Sequence, residues 1–153
     1  MFVRSHRSRR GGSSLLEAAF AYPVAILLVL GLTVVGMGVF RYLQVAELAR
    51  EGARYASVHG GQWAADLNGG TLTTTNNIYN NAIMPRAAAL NTNTLPVSNV
   101  TVTYADNGQM PTYTVAGKTT TNIVTVTVNY HWVPALYLGS MTLSSTSKMP
   151  ISY

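Results

Sequence analysis

The sequence predicts an α+β protein in which one long N-terminal transmembrane helix continues into a small antiparallel β-sheet module. Three observations carry that expectation. Residues Ala18 to Phe40 contain no charged side chain. The C-terminal half alternates aliphatic or aromatic residues with threonine, most clearly from Val124 to Tyr130. Between the two, Gly60-Gly61 stands where a helix would stop. The chain is accordingly divided into a basic leader at 1–12, a long helix at 13–60 that spans the membrane over about 18–40, and an exported α+β module at 61–153.

The composition supports a membrane protein over an ordinary soluble domain. Of 153 residues, 48% are hydrophobic and only 10% charged, against about a quarter charged in a typical soluble chain. The net charge of +5 is concentrated: Arg4, Arg7, Arg9 and Arg10 lie in the leader. A basic tip on a near-neutral body suits a membrane surface and argues against nucleic acid, which needs basic residues spread over a folded face. The chain has no cysteine, which excludes disulfides and thiolate metal sites, so an exported body must hold together by packing and backbone pairing.

Ala18 to Phe40 is 23 residues long. At about 1.5 Å per residue a helix of that length covers about 34 Å, enough for a hydrocarbon core of about 30 Å. The apolar core of a cleaved secretory signal is only about 7–15 residues, so a retained span is the better reading. Lysines and arginines near the ends set orientation. Four arginines precede the run, against Arg41, Arg50 and Arg54 after it, which favours a cytoplasmic N-terminus and an exported C-terminus. Pro23, Gly31, Gly36 and Gly38 interrupt the run; membrane helices tolerate such residues, and small ones let neighbouring helices approach.

Glu17 stands at the mouth of this apolar run. Ser14-Leu15-Leu16-Glu17 fits the S-x-x-E capping box, and a carboxylate near a helix N-terminus gains about 0.3–1 kcal/mol from the dipole. Capping does not explain an acid next to a bilayer, where the cost reaches about 2.5–3.5 kcal/mol at mid-membrane. Cleavage after Gly12 would give Ser13 a free amine, with a reference pKa of about 7.7–8.0. Ser13 and Glu17 are four apart and share a helix face. Pairing with that amine, in the same chain or a neighbouring copy, makes Glu17 an assembly contact as well as a cap.

Beyond Arg41 the helix is expected to reach about Ser57. Leu43, Ala46, Ala49, Ala53 and Ala56 form a stripe of mostly small residues, while Glu47 can meet Arg50 and Glu51 can meet Arg54. These charges read either as a solvated face or as a set of contacts between copies. Gln62 to Thr75 is loop-like. A second helix is expected from about Asn76 to Leu90, burying Ile78, Ala82, Ile83, Ala89 and Leu90, with Pro85 as a flaw, and Asn91 to Pro96 is a polar connector. Val100 to Tyr104 reads as a strand, Asp106-Asn107-Gly108 as a hairpin turn, and Thr112 to Ala116 as the return, followed by a Gly117-Lys118 turn. Val124 to Tyr130 and Met141 to Ser147 complete three or four strands. One face of that sheet would pack on the outer part of the helix, and the Thr/Asn face would meet water.

Taken together these residues resemble the TadE/TadG-like proteins of tight-adherence pilus systems, relatives of type IV prepilins. The resemblance rests on the basic leader, Gly12 followed by Glu17 five residues on, Pro23 six after that, and the Leu/Val/Gly-rich helix. It continues through Ala49-Arg50-Glu51-Gly52-Ala53-Arg54-Tyr55-Ala56, and in the strands at Val124 to Tyr130 and Thr142 to Ser147. The first 57 residues and roughly the last 30 carry it. Val34 stands where many family members have a second acid, so any contact made by that acid is missing here. The resemblance implies a pilin-like fold and cleavage between Gly12 and Ser13 by a prepilin peptidase. It also implies assembly through Glu17 and Pro23 as a minor pilin or pseudopilin of a type IVb pilus, with Arg50, Glu51, Gly52 and Arg54 on the helix interaction face. The implied partners are the membrane, the prepilin peptidase, other pilins and the pilus assembly platform. The implied place is the bacterial inner membrane, single-pass, with possible incorporation into an extracellular pilus.

No catalytic constellation emerges from the residues, and neither a cofactor nor a metal is expected. His6, His59 and His131 are scattered without a carboxylate or second histidine at ligand spacing, and Asp66 and Asp106 are forty residues apart in loops. Asn99-Val100-Thr101 fits a glycosylation sequon but lies in an alternating strand. Trp63, Trp132 and Tyr137 could line a sugar or lipid contact, but aromatics at a sheet edge more often serve packing. The expectation is a structural subunit. Its rival is an uncleaved, signal-anchored envelope protein carrying an extracytoplasmic binding module.

Overall fold

The computed structural model describes residues 11–60, 73–105, 113–115, 118–120, 123–134 and 139–151. Helix α1 runs from Gly11 to Val58, 48 residues with Pro23 inside it. The chain divides into two compact units, one ending at Met37 and one from Gly38 to Tyr153. In the first, α1 is lined on its surface by large exposed apolar side chains, Leu15, Phe20, Leu27 and Leu32 among them. By length and composition α1 is a helix able to cross a membrane. An apolar surface of that extent is costly in water.

In the second unit the sheet packs on α1, as the alternation implies. Strand β1 (Val100–Ala105) pairs antiparallel with β4 (Ile123–Trp132). The far side of β4 pairs antiparallel with β5 (Met141–Pro150), giving the order β1-β4-β5. Because side chains alternate across a strand, Val124, Val126, Val128 and Tyr130 all point inward and are buried. Thr125, Thr127 and Asn129 take the other face, where the Thr127 and Thr146 hydroxyls meet at 2.9 Å. The inward side chains share one core with Val45, Leu48, Ala49, Ala53 and Ala56 of α1. Glycine at position 52 permits that approach: a Cβ there would stand 3.1 Å from Val126 Cγ1 and 3.4 Å from Ile83 Cδ1.

Several expectations change in detail. Of the expected stripe, Ala49, Ala53 and Ala56 are buried and Leu43 is exposed; the larger Val45 and Leu48 fill the space under the sheet. The segment from Asn76 to Leu90 is helical but not one α-helix. It opens as α2 (Thr75–Ile78), widens to a π turn at Tyr79–Ile83 and tightens to a 3-10 turn at Met84–Ala89. Pro85 explains the break, since proline lacks the N–H for the ladder and its ring crowds the preceding turn. The changed pitch buries Ala87 and leaves Ala89 exposed. Thr74 caps the start by accepting from the Asn77 amide, and the Asn91 side chain accepts from Asn93 N–H in the next turn.

The return strand also pairs elsewhere. Tyr113–Val115 (β2) pairs with Lys118–Thr120 (β3) in a separate two-stranded ribbon, and β4 takes the place beside β1. With ten residues against three, β4 offers β1 a full six-residue register and a buried valine face. The Asp106-Asn107-Gly108 turn, the loop at 62–72, Trp63 and Tyr137 lie outside the described residues. Strand β5 extends three residues beyond Ser147 to Pro150.

Candidate functional site

The residues singled out by sequence fall in two places. Gly12, Glu17 and Pro23 lie on the first unit's stretch of α1, all exposed; Ser13 is on the same helix, its side chain outside the description. Among the described residues no atom beyond the helix's own neighbouring backbone lies within 4 Å of a Cβ built at Gly12. Pro23 cannot donate to the carbonyl four residues earlier, which leaves Ala19 without its ladder partner.

The capping box is not formed in this state. Helix α1 is already under way at Gly11, so Ser14 has helical neighbours on both sides and Glu17 lies about two turns in. A helix that started at Ser13 would instead bring Glu17 close to its first turn, where the free amides and the dipole favour an acid.

Arg50, Glu51, Gly52 and Arg54 lie on the second unit's part of α1 but do not share one face. Arg50 and Arg54, one turn apart, are exposed. Arg50 Nη1 stands 3.9 Å from Glu47 Oε2, the expected pair. Glu51 turns away from Arg54 and meets Arg86 at 3.5 Å, because the 3-10 turn brings Arg86 beside the helix. Gly52 is buried against β4 and the π turn. Tyr55 stacks on His59 with ring centroids 3.8 Å apart, and His59 Nδ1 lies 2.8 Å from Tyr55 O.

Other polar links tie the module together and escaped sequence reasoning. Tyr104 donates its hydroxyl to Thr73 O at 2.7 Å, and burial pushes its phenol up to about 12. Tyr79 donates to Leu95 O at 2.8 Å. Arg41 Nη1 donates to Gln44 Oε1 at 3.0 Å and to the Ala89 carbonyl. Such bonds join residues up to 48 apart, which no local pattern signals. Among the described residues no group of three or more His, Cys, Asp or Glu side chains could hold a metal ion.

The fold and this segment define a class: an α+β module on a helix able to cross a membrane, with an acid and a glycine near the start of that helix. Residues 12–54 match the family model described as TadE-like protein. The match covers the glycine, the acid, the apolar run and the Arg50–Arg54 block, which are part of the residues that carry the resemblance; the leader and the C-terminal strands lie outside it. No curated protein and no solved structure matches this chain.

Proposed function

We propose that this chain is a membrane-held structural subunit of a tight-adherence type IVb pilus, cut by a prepilin peptidase between Gly12 and Ser13 and assembled through α1. The proposal divides it into a leader at 1–12, a working helix at 13–60 and an exported module at 61–153, with the N-terminus in the cytoplasm. Its role is structural, as a minor pilin or pseudopilin, and not catalytic.

The observation that carries the reading is the TadE-like match over 12–54, which falls on an apolar helix whose large side chains are exposed. Lateral partners for such a helix are lipid and other helices. Cutting before Ser13 would remove four arginines and leave a charged amine four residues from Glu17. That amine, on this chain or the next, would neutralise an acid otherwise costly at the bilayer edge. Exposed Arg50 and Arg54 would then be available to acidic groups on neighbouring subunits.

The test is the N-terminal residue of the protein purified from its native envelope, by intact mass and peptide sequencing. A chain beginning at Ser13 supports prepilin processing. A chain beginning at Met1 overturns it and favours a signal-anchored binding module.

A further inference from the structure

We infer that the module carries a site for the phosphodiester headgroup of an anionic phospholipid, in a pocket built around Arg41 at the end of the apolar run. The pocket, of about 280 Å³, is lined by Arg41, Asn91, Thr94, Tyr130, His131, Trp132 and Val133. That volume lies near the lower end of small-ligand sites and suits a headgroup, not a whole lipid.

Its chemistry selects an anion. The lining holds a guanidinium and an imidazole and no carboxylate. Both described hydrogen bonds of Arg41 use Nη1. A guanidinium has five N–H donors, so Nε and Nη2 remain for a phosphate, which they match in geometry. The bonds to Gln44 and the Ala89 carbonyl hold the side chain in place. Thr94 and Asn91 are neutral polar neighbours, fixed by the Thr94 hydroxyl donating to Asn91 O at 2.8 Å.

Its position selects a lipid over a soluble anion. Arg41 is the first charged residue after the uncharged run from Ala18 to Phe40. Trp132 rests on Gly38, inside that run: a Cβ there would stand 3.0 Å from the indole Cζ3. The pocket therefore lies at the level where the apolar run ends, the level that tryptophan, tyrosine and arginine favour at a membrane boundary. Tyr42, Leu43, Val133 and Met141 are exposed, and Met141 pairs with Trp132 across the sheet. Exposed apolar side chains thus occur in the same stretch of chain as this arginine, a composition that suits the headgroup layer.

The inference rests on the membrane reading of α1 but not on peptidase processing. It is tested on the full chain in nanodiscs, in a Trp63→Phe background that leaves Trp132 as the remaining tryptophan. Co-elution with the discs reports insertion. Quenching of Trp132 by lipids brominated near the headgroup reports occupancy beside the pocket. Phosphatidylglycerol is expected to quench with about fivefold preference over phosphatidylcholine, as one arginine at an anionic surface warrants. Arg41→Gln and the exposed His131→Glu are expected to abolish the preference, and Arg41→Lys to retain most of it. Equal quenching by both lipids, or a preference that survives Arg41→Gln and His131→Glu, overturns the site while insertion stands. Loss of the preference on adding inorganic phosphate overturns the lipid assignment in favour of a soluble anion. Failure to co-elute with the discs overturns the membrane reading and the site together.

Discussion

Tyr104 links strand β1 to Thr73 through a single hydroxyl, and the environment of that hydroxyl makes it readable by pH. Tyr104→Phe is expected to lower unfolding stability by about 1 kcal/mol near neutrality, the usual worth of one such bond. Burial pushes the folded phenol up to about 12, above the ordinary tyrosine value of 10.0. The folded state thus holds the proton more tightly, and the stability tied to it is complete below pH 10 and lost as pH rises toward 12. Urea midpoints of wild type and variant between pH 8 and 12 check this: the gap should narrow above pH 10. At Gly52 the competing terms are helix propensity and space. Gly52→Ala gains about 0.8–1.0 kcal/mol of propensity, but its methyl meets Val126, Ile83 and Ile78 between 3.1 and 3.5 Å. All three side chains are fully buried and have little room to yield, and overpacking costs about 1–3 kcal/mol. The expected outcome in chemical denaturation is a net loss of about 1 kcal/mol.

At the scale of elements, β4 is the organising strand. It pairs on both edges and supplies four buried residues. Val126→Ala should therefore lower stability by about 2 kcal/mol, whereas Thr127→Ala on the outer face should stay within about 0.5 kcal/mol; equal losses in paired unfolding curves would contradict this assignment of faces. Arg86 is half exposed and Glu51 partly so, so a double-mutant cycle should give a coupling of about 0.5 kcal/mol, falling with added salt. Strand β4 and the end of α1 were legible in the sequence because their signals are local: alternation from Val124 to Tyr130, and glycines after Val58. Partner choice was not legible. Whether Val100–Ala105 pairs with the next strand or with β4 depends on which match buries more surface, and Glu51 took Arg86 because a proline-broken turn placed it there. The candidate processing residues were legible for a different reason, since Gly12, Glu17 and Pro23 carry meaning by their spacing before an apolar run.

For the whole molecule, the decisive variants lie at the start of α1. Among the described residues nothing lies within 4 Å of a Cβ at position 12, so Gly12→Val is expected to insert and fold normally while leaving the leader attached. Mass spectrometry of the envelope fraction would read this as a chain still beginning at Met1, and a normal cut would contradict the proposed processing. Under the proposed function, Glu17→Ala is expected to be cut and inserted but to fail in incorporation with pilus subunits, measured by co-purification. Normal incorporation would leave Glu17 without an assembly role. The packing of α1 against β4 also has a consequence in time. Ala56 and Val126 are far apart along the chain, and at about 5–20 residues per second ribosomes take roughly 4–14 s to make the stretch between them. For that interval the helix surface destined for the sheet has no cover. Alanine and glycine at 49, 52, 53 and 56 keep that waiting surface small and smooth, so a nascent chain offers chaperones and stray neighbours less to grip than a leucine stripe would.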